Sequence, residues 1–257
     1  MKKALKWFIS LLFFLFIASA LLYSITEPKK DRNWTIEHAL LANIQFSQDN
    51  KNPTVNITNI RDFKWANKNK AQYKAMEFQL EDIVGLKVVV SHFSAISEVA
   101  HVFLIVVLND GRELGISIEA RREADEAFSI QGGLLAQFEL IYVLATPEDL
   151  LGIRKINNES THIYPIKVTK DKAQELFTLI TKDANKLIEE PALYHLFFRN
   201  CTNQLVKNVS ILSDQKYPWY FQTLAPGNTG KMLYDLDLID MPNMSFKEIQ
   251  KATLTKP

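Results

Sequence analysis

Only one cysteine, Cys201, occurs among the 257 residues, so no intramolecular disulfide can form. Glycine (8) and proline (9) are sparse, which excludes collagen-like and low-complexity designs. No repeat of roughly 20–50 residues marks a solenoid or propeller. Basic and acidic residues nearly balance, 30 against 29, so the chain lacks the electrostatic footprint of a nucleic-acid binder. What remains is an ordinary globular composition, 47% hydrophobic and 23% charged, sufficient for one fused domain.

Charge is missing most conspicuously near the start. Lys2, Lys3 and Lys6 precede an uncharged run from Trp7 to Ile25. Those 19 residues would span roughly 28 Å as a helix, close to the ~30 Å hydrocarbon core of a bilayer. Lysines ahead of the run keep the N-terminus cytoplasmic and export the rest. Residues 1–26 therefore read as a membrane anchor or signal peptide, and 27–257 as an exported catalytic domain. Ala18-Ser19-Ala20 resembles a cleavage site, but Leu21, Leu22, Tyr23 and Ile25 continue the apolar run past it and favour the anchor. The expected location is the inner membrane, single-pass, with the domain on the periplasmic side. Residues 27–35 read as a polar linker.

Along the exported part, Val55–Ile60, Tyr73–Leu80, Val84–Phe93, Val102–Leu108 and Phe138–Leu144 have strand character, with Asn-rich turns at Asn50, Asn67 and Asn69. Val102–Leu108 is apolar throughout and suits a strand buried on both faces. Asn109-Asp110-Gly111 is a hairpin turn, and the returning strand alternates Leu114, Ile116 and Ile118 against Gly115, Ser117 and Glu119. A helix capped by Thr169 runs to Pro191, and a second opens at Asn200-Cys201 and runs to about Val209. Strands followed by helices predict an α+β fold with an antiparallel sheet. Tyr217–Gly230, rich in aromatic residues, is a candidate membrane-facing or substrate-covering loop, or simply a packed tail.

A lone thiol in an exported protein is either inert or reactive. Cys201 sits in the polar stretch Arg199-Asn200-Cys201-Thr202-Asn203-Gln204, with Asn200 as N-cap. A helix start favours a thiolate, and its free N–H groups can stabilise an oxyanion. Such a nucleophile needs a base and a group orienting that base. Among five histidines, His101 opens the buried strand. With a three-residue hairpin loop it faces Glu119 across the pair on one sheet face, whereas a four-residue loop sends the two to opposite faces. His92 and His195 are secondary base candidates, and His38 and His162 read as surface or packing residues. Arg121 and Arg122 are candidate binders of an anionic substrate group such as a phosphate, beside a competing reading as a solvated charged loop. Asn200 is a further candidate substrate contact. No histidine pair has metal-ligand spacing, so neither a metal nor another cofactor is expected.

Several stretches resemble the Lnb N-terminal periplasmic domain family. They are Arg32-Asn33-Trp34, Asn59-Ile60-Arg61-Asp62-Phe63, Ala100-His101, Asp110-Gly111-Arg112, Ser117 to Glu123, Phe138 to Val143, and Asn200-Cys201-Thr202, in family order over about residues 32 to 240. The family is similar to lipoprotein N-acylation transferase B, which acylates the N-terminal cysteine amine of bacterial lipoproteins. Its His, Glu, Cys order also looks like circularly permuted papain-like (NlpC-type) enzymes. The resemblance implies Cys201 as nucleophile, His101 as base and Glu119 as orienter, with an acyl chain passing from phospholipid through a Cys201 thioester to an amine. Acyltransferase members carry further membrane helices after this domain, whereas this sequence stops at Pro257.

The expected function is therefore a membrane-associated thiol acyltransferase, with phospholipid as donor and a lipoprotein or peptide as acceptor. An exported cysteine hydrolase cutting a cell-wall peptide, an amide or a lipid ester is the first alternative. A non-catalytic envelope binding protein is the second.

Overall fold

The uncharged N-terminal run folds into one helix, α1 (Lys2–Ile25), most of whose side chains are exposed. It is the one helix among the described residues long and apolar enough to cross a membrane. The computed structural model describes residues 2–49, 51–65, 72–212 and 225–255. The turns expected at Asn50, Asn67 and Asn69 lie outside that range, as do Tyr217, Trp219, Tyr220 and Phe221 of the candidate loop.

Behind α1 the order is mainly strands, then mainly helices. The strands are β1 (Asn43–Phe46), β2 (Thr54–Arg61), β3 (Tyr73–Gln79), β4 (Ile83–His92), β5 (His101–Leu108), β6 (Glu113–Arg121), β7 (Glu139–Ala145) and β8 (Ser160–Ile166). The helices are α2 (Ile130–Leu134), α3 (Pro147–Ile156), α4 (Lys170–Glu189), α5 (Cys201–Leu212), α6 (Thr229–Asp235) and α7 (Phe246–Thr253). One sheet runs β1-β2-β7-β6-β5-β4-β8, with β3 also paired to β2. Its ladders are antiparallel except for a single parallel bridge, Arg61 to Ala145, which joins β2 to β7. The molecule is thus a mixed α+β protein with one sheet and an N-terminal apolar helix.

Both faces of the central strands are covered, as the unbroken apolar run of β5 requires. Val102, Leu104, Val106 and Leu108 share one core with Phe177 and Ile180 of α4 and Leu205 of α5. Phe103 and Ile105 point the other way, into a smaller core with Ile141, Val143 and Leu150 of α3. That second core needs Gly115, since a Cβ there would collide with the Leu150 side chain. The two later helices obey their local signals. Thr169 caps α4 by accepting from Lys172 N–H, and the Asn200 side chain accepts from the N–H groups of Thr202 and Asn203 at 2.9 Å each.

The parallel bridge is reinforced by a buried ion pair. Asp149, in the first turn of α3, takes Arg61 Nη2 at 2.8 Å and Phe63 N–H at 2.7 Å, and Trp65 Nε1 lies 3.1 Å away. Asp62 accepts from the Thr146 hydroxyl that caps the same helix. The Asn59–Phe63 stretch is therefore a fastening between β2 and α3.

Residues 27–35 are not a free linker. Arg32 pairs with Glu123 and Glu139, Trp34 bridges to Glu123, and the Arg121 guanidinium lies 4.0 Å from the Trp34 ring centre. Ion pairs and stacking thus hold this polar stretch on the domain, where composition alone suggests solvation.

Candidate active site

The hairpin decides which side chains meet. Leu108 N–H donates to Arg112 carbonyl, Gly111 takes the positive φ (85°) that the third loop residue needs, and the loop has three residues. The ladder then pairs Leu104 with Ile116, Ile105 with Gly115 and Val106 with Leu114, the register that places His101 and Glu119 on the same face. Direct contact nevertheless fails. Beyond Leu104 and Ile116 the two strands part, β5 continuing on β4 and β6 on β7.

A hydroxyl fills that widening gap. His101 Nε2 lies 2.7 Å from Ser117 Oγ, and Ser117 donates to Glu119 Oε1 at 2.8 Å, whereas His101 and Glu119 are 3.9 Å apart. Because the Ser117 proton goes to the carboxylate, His101 Nε2 must be the protonated nitrogen, which leaves the Nδ1 lone pair for chemistry. Ser117 thus stands between the two, and Glu119 reaches the imidazole by hydrogen bonding only through that hydroxyl. The strand's alternation put Ser117 on the correct face; only the parting of the strands made it the intermediary.

Glu119 is held from several sides. His38 approaches its Oε2 at 3.2 Å, and Arg154 Nη2 its Oε1 at 3.5 Å. Burial alone would raise the carboxyl, but the His38 hydrogen bond and the Arg61 and Arg154 charges hold it well below its usual range. His38 is not a surface residue: it is buried, and its Nδ1 accepts from Arg122 N–H. Its position in a short 3-10 turn far from β6 in sequence gave no pattern by which to find it.

Cys201 is the first residue of α5 and is itself buried. Its Sγ is 3.6 Å from Thr202 Oγ1, and no hydrogen bond among the described residues joins it to His101. The cysteine belongs to the core on the α5 side of the sheet, with Val102 and Ile118, while His101 stacks on Phe103 of the opposite side. Both reach one cavity of about 670 Å³, lined also by Glu119, Arg122, Arg154 and Asn200. Apolar side chains such as Phe128, Ile130, Leu134 and Phe197 make up most of its remaining wall.

Electrostatics correct the expectation of a thiolate. Burial pushes the Cys201 thiol up, outweighing the Val102 and Thr202 groups that act the other way. Burial and the nearby Arg154 charge push His101 down to about 4. The resting pair is therefore neutral thiol and neutral imidazole. His101 ordinarily titrates near 6.5. As pH falls from about 6.5 to about 4 the unfolded chain gains this proton before the native protein does, so the stability from His101, full above about 6.5, is lost across that window. An NMR titration of the His101 ring is expected to show a midpoint near 4; one near 6.5 would contradict this account.

Other candidates separate clearly. Arg122 lines the cavity, and its guanidinium has no ion-pair partner among the described residues. Arg121 is buried elsewhere, its Nε on His38 carbonyl and its Nη2 near Ala39 carbonyl, with its value lowered by burial to about 10. Asn200 borders the cavity, but its amide is occupied: Oδ1 caps α5 and Nδ2 donates to Leu196 carbonyl. His92 contacts Ser97 carbonyl, His162 packs with Tyr164, and His195 contacts Ser19 and Leu134 carbonyl; none of them lines the cavity. Among the described residues no group of three or more His, Cys, Asp or Glu converges as a metal site.

The model of the Lnb N-terminal periplasmic domain family matches residues 69–227, more than half of the chain, and that span contains His101, Ser117, Glu119 and Cys201. The chain belongs to this family. The Arg32–Trp34 and Asn59–Phe63 stretches lie ahead of the matched span. No curated protein and no solved structure matches the chain. The periplasmic domain family and the single apolar helix α1 together fit a single-pass, membrane-associated periplasmic protein.

Proposed function

We propose that this member is a thiol acyltransferase of the inner membrane, its domain on the periplasmic side, in which Cys201 carries an acyl chain from a phospholipid to a lipoprotein or peptide amine. The observation that carries the reading is one mostly apolar cavity shared by Cys201 at a helix start and the His101–Ser117–Glu119 relay. A helix-start cysteine and a strand histidine backed by polar groups are also the parts of a permuted papain-like site.

In the first half-reaction His101 Nδ1 accepts the thiol proton as Sγ attacks the ester carbonyl. The ester C–O bond then breaks, and the departing lysolipid oxygen takes that proton, leaving a thioester on Cys201. In the second, an amine attacks the thioester, the C–S bond breaks, and His101 moves the amine proton to the sulfur. Neutral resting groups suit this general-base route, because the proton moves as the bond forms. Cys201 N–H, without a protein acceptor among the described residues, is available to the carbonyl oxygen. Arg122 supplies a cation for a lipid phosphate.

The test is intact mass of the full chain in phospholipid vesicles. One acyl-sized increment mapping to Cys201 and released by hydroxylamine is expected. Absence of any increment with several phospholipids, from folded protein, would remove the donor assignment.

A further inference from the structure

From the way α1 docks on the domain, we infer that the face formed by Phe128–Leu135 and His195–Phe198 is sunk into the periplasmic leaflet, opening the cavity sideways to lipid chains. This rests on the acyltransferase reading only for what enters the cavity; the immersion itself stands on the anchor contacts.

Phe16, Ser19 and Tyr23 lie on one side of α1, at helical spacing. Ser19 Oγ donates to Leu134 carbonyl at 2.5 Å and lies 2.9 Å from His195 Nε2. His195 Nδ1 accepts from Phe197 N–H, so Nε2 carries the proton and donates toward Ser19 and Leu134 carbonyl. Phe16 meets Phe197 and Phe198 with ring centres 5.6 and 5.8 Å apart, and Tyr23 meets His195 and Phe198 at 5.0 and 5.5 Å. Both polar side chains are thereby satisfied without water, as hydrocarbon requires.

The helix sets the depth. Phe16 lies nine residues before Ile25, about 14 Å along an α-helix, and a tilt of about 40° shortens this only to about 10–11 Å. Half of the ~30 Å hydrocarbon core is about 15 Å. If Ile25 marks the exit of α1 from the bilayer, the rings touching Phe16 lie well below that surface. Two charge-free segments meet there, Ala127–Phe138 and Leu193–Phe198. On them Ile130 and Leu135 are 56% and 55% exposed, and Phe128 and Phe198 40% each, costly in water and favourable in lipid. Phe128 and Ile130 also line the cavity, so they form a rim between bilayer and thiol.

The test uses full-length Cys201→Ala protein in phosphatidylethanolamine–phosphatidylglycerol vesicles. Nitroxide labels are placed singly through Ile130→Cys, Leu135→Cys and, as a reference on the hairpin turn, Asp110→Cys. Ile130 and Leu135 labels are expected to collide with oxygen several-fold more than with a water-soluble nickel chelate, and the Asp110 label the reverse. Adding Ser19→Leu, which keeps α1 apolar but removes the docking hydroxyl, is expected to move the Ile130 label toward water. Labels matching Asp110, or shielded from both reagents as under a protein partner, would overturn the immersion. An Ile130 label unmoved by Ser19→Leu would overturn the role of that contact. The background has no thiol, so these outcomes are independent of whether Cys201 forms an adduct.

Discussion

Cys201→Ala is expected to eliminate the acyl adduct and lower turnover by on the order of 10³-fold or more, since loss of a nucleophile removes the covalent route as a whole. The fold should survive. Alanine keeps a small apolar side chain at a cavity wall, and the α5 cap belongs to Asn200 rather than to the sulfur. Cys201→Ser should be equally inactive, because a hydroxyl is far harder to deprotonate than a thiol. His101→Ala is expected to match it, the two residues acting as one unit. Ser117→Ala should cost less, about 10–100-fold, because it removes the bridge to Glu119 while leaving a base. Turnover by Cys201→Ala within tenfold of the parent protein, at equal folded content, would end the nucleophile assignment.

The largest effect on stability is expected at a residue that does not line the cavity. Asp149→Ala should destabilise the protein by about 3–5 kcal/mol, since it leaves the buried Arg61 guanidinium without its counter-charge. Phe63 N–H also loses its acceptor, whereas Trp65 Nε1 keeps the Asp149 backbone carbonyl at 2.8 Å. The substitution further loosens the Arg61–Ala145 bridge that joins β2 to β7 among the described residues. Replacing both partners, Arg61→Met with Asp149→Leu, should recover part of the loss by removing the unpaired charge. Denaturant unfolding of each variant measures this. A loss below about 1 kcal/mol for Asp149→Ala would show that Arg61 finds compensation elsewhere.

Both predictions draw on patterns that differ in how far they could be read along the chain. The hairpin was legible because Asn109-Asp110-Gly111 marks a turn locally, but the loop length that fixes register came from the Leu108–Arg112 closure seen in the structure. The α4 cap, the α5 start and the uncharged run of α1 were legible for the same reason, each being settled within a few neighbouring residues. β8 was harder to see, since Pro165 interrupts it; an end strand tolerates that loss of a donor, its outer edge carrying only isolated bridges to Ile239 and Leu254 beside the β4 ladder. The short α3 hides behind the strand-like run of β7, although Thr146 and Pro147 mark its start.

Sequence alone determined the apolar N-terminal helix, the α+β order of elements, the hairpin turn that leaves two registers open, and the placing of Cys201 at a helix start. Tertiary structure alone decided that Ser117 stands between His101 and Glu119, that His38 braces Glu119, and that Arg121 is turned away while Arg122 remains at the cavity. It also decided that burial leaves thiol and imidazole neutral. The division has one cause. Periodicity and caps depend on neighbours in the chain, whereas the parting of two strands, the docking of α1 on His195 and the desolvation of a side chain depend on segments that meet only after folding.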